Sequence, residues 1–578
     1  MRVEFAPYRG GRASEASKGG CDGGEKNNAD SGTGFRFPRQ SRPGGRQEPK
    51  RAKRRSNRGG DTGVASCGAF NQARCDASER VVCHHGSGAI RAVLLLMHPT
   101  PVATPAASSR REFLKTTSRL GAVGLTVPQI LPSGAYGAAG RPGANGKIQV
   151  GLIGCNGMGR SNAGNVAKHP DVVVTAACDV SRSRREAIAK QFKDTCRAYA
   201  DFRELLAQPS VDAVIIASPP HWHTLMAIAA METGKDVYLQ KPMTLTLGED
   251  LVVRNAVKRT GRVCQIGTQI HASENYRRVV EMIRAGYLGN VGAVRTFNVM
   301  NQGVKGVGRQ APGTQAPADL DWDFWCGPAP RIPFNSILYS GSYNHGSWMA
   351  YSGGWTPGMA PHILDLPVWA LDLPYPTEVS SSGGRFMIDD DGDAYDNHEV
   401  LWRYPGVTMT WMSSLTNSYG FDLHGRPVPE RRLGIYFHGV LGTMWSNYNE
   451  HRIVPEGKAM NEFLKPEAIA KKQAPDYPVR ALYNIADVKP VAERIPPSPG
   501  QEFEWIECIK TRQQPSCTPE YHSRINVPIV LSLLSLKLGR TIRFDPTTQK
   551  IVGDREAEKL AVPEYRAPWK FPAKYLAA

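Results

Sequence analysis

Residues 147–179 read KIQVGLIGCNGMGRSNAGNVAKHPDVVVTAACD. Lys147 to Ile153 is a short apolar run and predicts a buried strand. Gly154-Cys155-Asn156-Gly157-Met158-Gly159 follows as a glycine-rich turn, and Arg160 to Lys168 predicts a helix. Val172 to Cys178 predicts a second strand, which ends on Asp179, 20 residues after Gly159. Strand, glycine turn, helix, strand and acid, in that order, are the parts of a dinucleotide-binding βαβ unit. Glycines let the backbone approach a pyrophosphate, the helix N-terminus offers free N–H groups, and the carboxylate accepts from a ribose diol. A glycine turn alone fits many α/β proteins; the two flanking strands and the acid at this offset select the nucleotide unit. Asn156 stands at the middle glycine of G-x-G-x-x-G. Asparagine tolerates a left-handed backbone better than most residues, so the turn is expected to survive.

The same alternation continues. Ser181 to Lys193 and Tyr199 to Leu206 predict helices, and Val211 to Ala217 a buried strand that runs into Ser218-Pro219-Pro220-His221-Trp222-His223. Thr224 to Thr233 is helical, Asp236 to Gln240 a strand ending at Lys241-Pro242, Leu247 to Arg259 a helix, and Val263 to Gln269 a strand. Strands alternating with helices give an α/β fold with a parallel sheet and right-handed crossovers. Ligands in such sheets sit at the carboxyl ends of strands, here marked by Asp179, Ser218, Pro219, Lys241 and Gln269. Together with Gly154, Asn156, Gly157, Met158, Gly159 and His223 they form the expected cofactor set. A carboxylate at Asp179 favours NAD by repelling a 2′-phosphate. Arg182, Arg184 and Arg185 close by keep NADP within reach, unless they only form a solvated helix face.

Residues 271–578 read as a second domain. A helix is expected at Asn275 to Arg284, strands at Val294–Met300, Glu378–Gly383, His398–Tyr404 and Val407–Ser413, and helices at Phe503–Lys510 and His522–Arg540. Residues 301–355 are loop-rich, a length often tied to function. Their Trp348, Tyr351 and Trp355 suit either stacking on a sugar ring or packing the loop. Residues 417–500 read as irregular, and the tail 555–578 as a surface wrap.

Three stretches carry a resemblance: Ala-Ser-Pro-Pro-His-Trp-His at 217–223, Val-Tyr-Leu-Gln-Lys-Pro-Met-Thr at 237–244 and Gly-Arg-Val-Cys-Gln-Ile-Gly-Thr-Gln at 261–269. They resemble the glucose–fructose oxidoreductase and inositol dehydrogenase family (Gfo/Idh/MocA), over about 147–558. The linker Leu320-Asp321-Trp322-Asp323-Phe324-Trp325-Cys326-Gly327-Pro328 is similar to that of exported bacterial members. The resemblance implies an N-terminal Rossmann NAD(P)-binding domain, spanning 141–270. It also implies a C-terminal α/β domain, 271–578, with an open, mostly antiparallel sheet that commonly builds oligomers. Lys241 matches the family lysine that contacts substrate and nicotinamide, while Gln240 replaces its usual acidic neighbour. His362 matches the histidine that serves with the lysine in proton transfer, and Asp365 the acid three residues on. Gly358 stands where the motif's first aspartate is expected. Lys241, His362 and Asp365 are thus the catalytic candidates.

The chain has 578 residues, a pI near 9.4 and a formal net charge of +18. Half of that charge, +9, falls in 1–96, with +3 in 97–140 and +6 in 141–578. The basic pI is therefore largely a leader property and does not point to nucleic-acid binding by the folded part. The 11 cysteines include no C-x-x-C pair, so neither a structural zinc nor any other metal is expected. Residues 1–96 are rich in Gly, Arg, Ser and Asp with few apolar runs and are expected to be disordered. Ser109-Arg110-Arg111-Glu112-Phe113-Leu114-Lys115, an apolar stretch from Leu120 to Leu131 and a small-residue exit form a twin-arginine export signal over 97–140. Met97 lies just before it and is the expected true start, with 1–96 a gene-model extension. The protein is then periplasmic or otherwise exported, without stable membrane insertion.

These readings leave three functions open. One is an NAD(P)-dependent oxidoreductase acting on a sugar or polyol hydroxyl carbon. Another is a redox-assisted glycosidase that oxidises one carbon transiently to permit elimination. The third is a catalytically idle sugar-binding protein, which Gln240 and Gly358 encourage. All three expect a homo-oligomer.

Overall fold

The computed structural model describes residues 146–341, 343–416, 432–456 and 494–577. The leader and the export signal lie outside them. The first domain runs β1 (Ile148–Ile153), α1 (Gly157–Val166), β2 (Val172–Cys178), α2 (Arg182–Phe192), β3 (Arg197–Tyr199), α3 (Phe202–Leu206), β4 (Ala213–Ile216), α4 (His223–Glu232), β5 (Asp236–Gln240), α5 (Leu247–Thr260) and β6 (Cys264–Gly267). The six strands are parallel in the order β3-β2-β1-β4-β5-β6. Every residue of β4, β5 and β6 is buried, as expected of strands covered by helices on both faces. Chain order reverses between β1 and β4, which opens a crevice at their carboxyl ends.

Local signals fix the helices. Ser181, Asp201 and Thr246 accept backbone N–H groups at the starts of α2, α3 and α5, and Gly261 ends α5 at φ +63°. The Asp201 cap corrects one reading. Tyr199 does not open a helix but closes β3, because the capping geometry at Asp201 delays the helix to Phe202.

The second domain runs α6 (Glu274–Arg284), β7 (Val291–Val299), α7 (Trp322–Cys326), α8 (Ser336–Ser340), α9 (Met349–Ser352), α10 (Trp355–Ala370), β8 (Glu378–Gly384), β9 (Asn397–Tyr404), β10 (Val407–Ser414), β11 (Leu433–Gly439), β12 (Gly442–Ser446), β13 (His451–Pro455), α11 (Gln501–Thr511), α12 (Pro519–Leu538), β14 (Ile542–Asp545), β15 (Lys550–Ile551) and α13 (Arg555–Leu560). Its sheet has the order β13-β12-β11-β7-β10-β9-β8-β14-β15. The β7–β10 pair is parallel and the other pairings are antiparallel. Strand β9 buries every second side chain, His398, Val400, Trp402 and Tyr404, so one face carries the core and the other stays open. Helices α6, α10 and α12 cover the inner face through Val279, Ile363, Leu364, Ile525 and Ile529. The segment read as irregular contains β11 to β13. Leu433, Ile435 and Phe437 alternate inward, and Gly439 and Gly442 bracket a tight hairpin.

The division at 270 separates the sheets but not the cores. Trp505, Ile506 and Ile509 of α11 pack with Ile148, Val150, Val174 and Ile215 of the first domain. The tail also returns there: Tyr575 is 5% exposed and joins Ile216 and Leu239, while Trp569 meets Trp222 edge-on at 4.7 Å. The tail therefore wraps over the surface of the nucleotide domain, as expected, and is pinned there by these rings. Among the described residues no helix is long and apolar enough to cross a membrane. Truncating Trp505 to alanine is expected to cost about 3–5 kcal/mol of stability, as for other fully buried aromatics. Chemical denaturation followed by tryptophan-independent circular dichroism reads this loss.

Candidate active site

The cleft begins where β1 turns into α1. Gly154 lies so close to the end of β4 that a Cβ there would stand 2.6 Å from the Ala217 carbonyl. Gly159 sits over the turn itself, where a Cβ would come within 1.9 Å of the Gly154 oxygen. Both positions thus require glycine for close approach. The left-handed backbone falls on Gly154, φ +91°, and Gly157, φ +36°. Asn156 is extended, at φ −100° and ψ 170°, and precedes the first turn of α1. The turn therefore survives for a reason other than asparagine's left-handed tolerance: the position needs no positive φ at all.

Asp179 closes the nucleotide end. Its carboxylate accepts the Cys155 N–H at 2.8 Å and the Ser181 N–H at 2.9 Å. Burial raises its pKa, while these hydrogen bonds and the nearby arginines oppose that rise. Arg185 donates to the Asp179 carbonyl at 3.0 Å, and Arg184 donates to the Tyr339 carbonyl at 3.0 Å with its guanidinium 3.7 Å above the Tyr339 ring. Both side chains therefore already have protein partners. Ser218 and Pro219 line the floor, and the Ser218 hydroxyl is buried with no partner among the described residues. An orphaned hydroxyl over a glycine cradle fits a bound polar ligand.

His223 lies beneath this floor rather than in the cleft. Its ring nitrogens face the Pro242 and Ser218 carbonyls at 2.7 and 2.9 Å, tying the loops after β4 and β5 together. Burial brings its pKa down to about 4, so the ring stays neutral. Gln269 is exposed at the start of a short helical turn, away from the cleft, and Met158 is a partly exposed lining residue.

The reactive end is built on the end of β5. Gln240 is buried and donates to Asn162 Oδ1 of α1 at 2.7 Å. Asn162 in turn donates to Glu502 of α11 at 2.8 Å, so the C-terminal helix helps orient the loop. Lys241 reaches across to the second domain and donates to the Gly358 carbonyl on α10 at 2.9 Å. Burial lowers its pKa from 10.5 to about 8.

One turn further along α10, His362 is buried with Nδ1 unpartnered among the described residues. Burial and the Lys241 charge push its pKa well below the usual 6.5. Asp365 is fully buried, held by His271 at 3.0 Å and by the Tyr521 hydroxyl at 2.7 Å. Of the three catalytic candidates Lys241 lines the cleft, His362 lies close enough to feel its charge, and Asp365 is buried behind them against His271 and Tyr521.

The outer wall is the part the motifs did not reveal. Phe324, Trp325, Leu338, Tyr339, Tyr343 and His345 line the cleft on this side. The long loop 301–355 was the available signal. Its other aromatics, Trp348, Tyr351 and Trp355, are buried in the packing of that loop.

A groove of this form, opening at the strand-order reversal over a glycine turn and an acid at the end of the second strand, is a dinucleotide-binding crevice. Residues 148–268 match the model described as the oxidoreductase family, NAD-binding Rossmann fold. Residues 479–571 match that described as the oxidoreductase family, C-terminal alpha/beta domain. Both matches are to models of the Gfo/Idh/MocA oxidoreductase family, the first of them its NAD-binding Rossmann domain.

Among curated relatives, a glycosyl hydrolase family 109 protein from Solibacter usitatus is 30% identical over 195 residues, 32% of this chain and 44% of that protein. An alpha-N-acetylgalactosaminidase from Shewanella oneidensis is 29% identical over 202 residues, with the same coverages of 32% and 44%. The chain therefore spans less than half the length of these relatives. Among solved structures, an aldose-aldose oxidoreductase from Caulobacter crescentus, complexed with glycerol, is 16% identical with a TM-score of 0.47, covering 69% of this chain and 100% of that one. A levoglucosan dehydrogenase in complex with NADH and levoglucosan is 17% identical with a TM-score of 0.46, covering 69% and 99%.

The glycine cradle yields a paired test. Gly159→Ala is expected to abolish nucleotide retention, because its methyl collides with the Gly154 backbone. Gly164→Ala, on the same helix with nothing within 4 Å of the added methyl, is expected to retain nucleotide and gain up to about 1 kcal/mol. Nucleotide released from purified protein and NAD titration calorimetry measure both.

Proposed function

We propose that the chain oxidises an alcohol carbon of a carbohydrate or polyol, with Lys241 accepting the hydroxyl proton. The observation that carries this reading is the state of Lys241. Its pKa near 8 results from burial, and the neighbouring Gln240 contributes no negative charge to reverse it. A large share of the lysine is then neutral amine at mildly alkaline pH, close to the optimum for a general base. His362 stays neutral across the working range and is too weakly basic to compete. We assign it to hydrogen bonding with the substrate. Asp365 holds α10 in place through His271 and Tyr521 and does not itself touch the reacting carbon. When bound, NAD supplies the hydride acceptor.

A second reading shares this first step. Relatives named as glycosyl hydrolases support a cycle in which oxidation is transient and a glycosidic group is eliminated before the hydride returns. Two assays on the full chain with NAD separate the readings. Absorbance rising at 340 nm with D-glucose, N-acetyl-D-galactosamine or myo-inositol supports the oxidoreductase. Release of nitrophenol from p-nitrophenyl N-acetyl-α-D-galactosaminide without net NADH supports the glycosidase. Inactivity in both overturns the enzymatic reading and leaves sugar binding alone.

The reading includes export, on the strength of the Ser109–Lys115 stretch, and a homo-oligomer formed through the open sheet face that exposes Leu401 and Val454. The N-terminal sequence of protein recovered from the bacterial periplasm and light scattering test these two points.

The pH dependence follows from the direction of the lysine shift. Neutral amine accumulates as pH rises, so oxidation is expected to increase about tenfold per unit below pH 8 and level off above it. Gln240→Glu places a carboxylate beside the ammonium and is expected to move the midpoint upward by about one unit. Lys241→Met is expected to lower turnover by roughly 10²–10⁴-fold while retaining bound NAD. Initial rates from pH 6 to 10 check all three.

A further inference from the structure

One polar atom beside Lys241 is still without a role. The Tyr343 hydroxyl is buried and has no hydrogen-bond partner among the described residues. It lies directly over Gly358, where an added Cβ would stand 2.3 Å from Tyr343 Oη, 2.6 Å from Cε1 and 2.7 Å from Cζ. No side chain fits at 358 while the phenol keeps this place. Gly358 is also the residue whose carbonyl receives the Lys241 ammonium at 2.9 Å, and that ammonium stands 5.1 Å from the Tyr343 ring centroid. The ring is fixed by His345 and Trp355, with centroids 4.5 and 5.3 Å away. A phenol from the loop that leads into α10 has thus taken the volume in which the motif expects a carboxylate, and its residue lines the cleft together with Lys241.

We propose that Tyr343 is a catalytic residue that hydrogen-bonds the reacting hydroxyl oxygen of the substrate alongside Lys241. The inference rests on the oxidation reading above. In that step the substrate O–H proton passes to the neutral Lys241 amine, the C–H bond gives its hydride to NAD, and the C–O bond becomes a carbonyl. The Tyr343 hydroxyl remains protonated throughout and donates to the oxygen while that oxygen carries developing negative charge. Burial raises the phenol's pKa far above the working range, so it serves as a standing donor and never as a base. A ligand oxygen would also satisfy a buried hydroxyl that the protein leaves unpaired. The exchange keeps the site free of carboxylate on this side, so Lys241 is not held in its charged form.

The test uses the full chain with its NAD and three probes: D-glucose, myo-inositol and p-nitrophenyl N-acetyl-α-D-galactosaminide. Tyr343→Phe keeps the ring over Gly358 and removes only the hydroxyl. Melting temperature and NAD content should match the wild type, while kcat falls by roughly 10²–10³-fold with the midpoint near pH 8 unchanged. The double variant Tyr343→Ala with Gly358→Asp vacates the space and returns an acid. It should recover at least tenfold over Tyr343→Phe, with its pH midpoint shifted upward by the new carboxylate. A Tyr343→Phe kcat within threefold of wild type overturns the assignment and leaves the oxidation reading standing. If the wild type turns over none of the probes, the oxidation reading fails on its own. Tyr343 is then judged by quenching of bound-NADH fluorescence with D-glucose. Binding at least tenfold weaker in Tyr343→Phe supports the contact; equal affinity, or no binding by the wild type, overturns it.

Discussion

The hydrogen bond from Lys241 to the Gly358 carbonyl joins the two domains at the edge of the nucleotide cleft. The lysine comes from the end of β5 in the parallel sheet, and the carbonyl from the buried helix α10 that covers the second sheet. A lysine that crosses from one domain to the other leaves water, and losing water is what lowers its proton affinity. The position of α10 therefore bears on both the contact between the domains and the proton affinity of Lys241. Asp365 contributes from behind, because its bonds to His271 and Tyr521 anchor α10 to the turn before α6 and to α12.

The neutral residues around this lysine act together. Gln240 is held by Asn162, which is held by Glu502, so the amide is oriented through a chain that starts on a helix more than 250 residues away. Gly358 yields its side-chain space to Tyr343. Each of the two positions could have carried a carboxylate, and either would have stabilised the ammonium by Coulomb attraction. With both neutral, burial acts on the lysine unopposed.

Much of this was legible in the amino-acid order, and the boundary of legibility has a physical cause. The stretch from Lys147 to Asp179 defines the nucleotide unit because its turn, helix start and acid lie within one βαβ segment and interact locally. The ends of β4 and β5 were equally plain, since buried parallel strands read as continuous apolar runs. Asn156 was correctly placed in the turn but for the wrong backbone reason, as φ is not visible in a residue type. The three strands β11 to β13 were missed although Leu433, Ile435 and Phe437 alternate, because the flanking polar and proline-rich stretches obscured the period. Tyr343 was not legible at all. Its meaning depends on Gly358 beneath it, and only the fold brings loop and helix into contact.

The return of α11 and the tail into the first domain has a consequence for biogenesis. Trp505 and Tyr575 complete hydrophobic layers begun by Ile148 and Ile216. While the ribosome is still extending the chain, the glycine turn and its strands have already emerged, but these layers stay open until Trp505 and Tyr575 follow. The packing of the nucleotide domain is thus completed by residues more than 200 positions after its last strand.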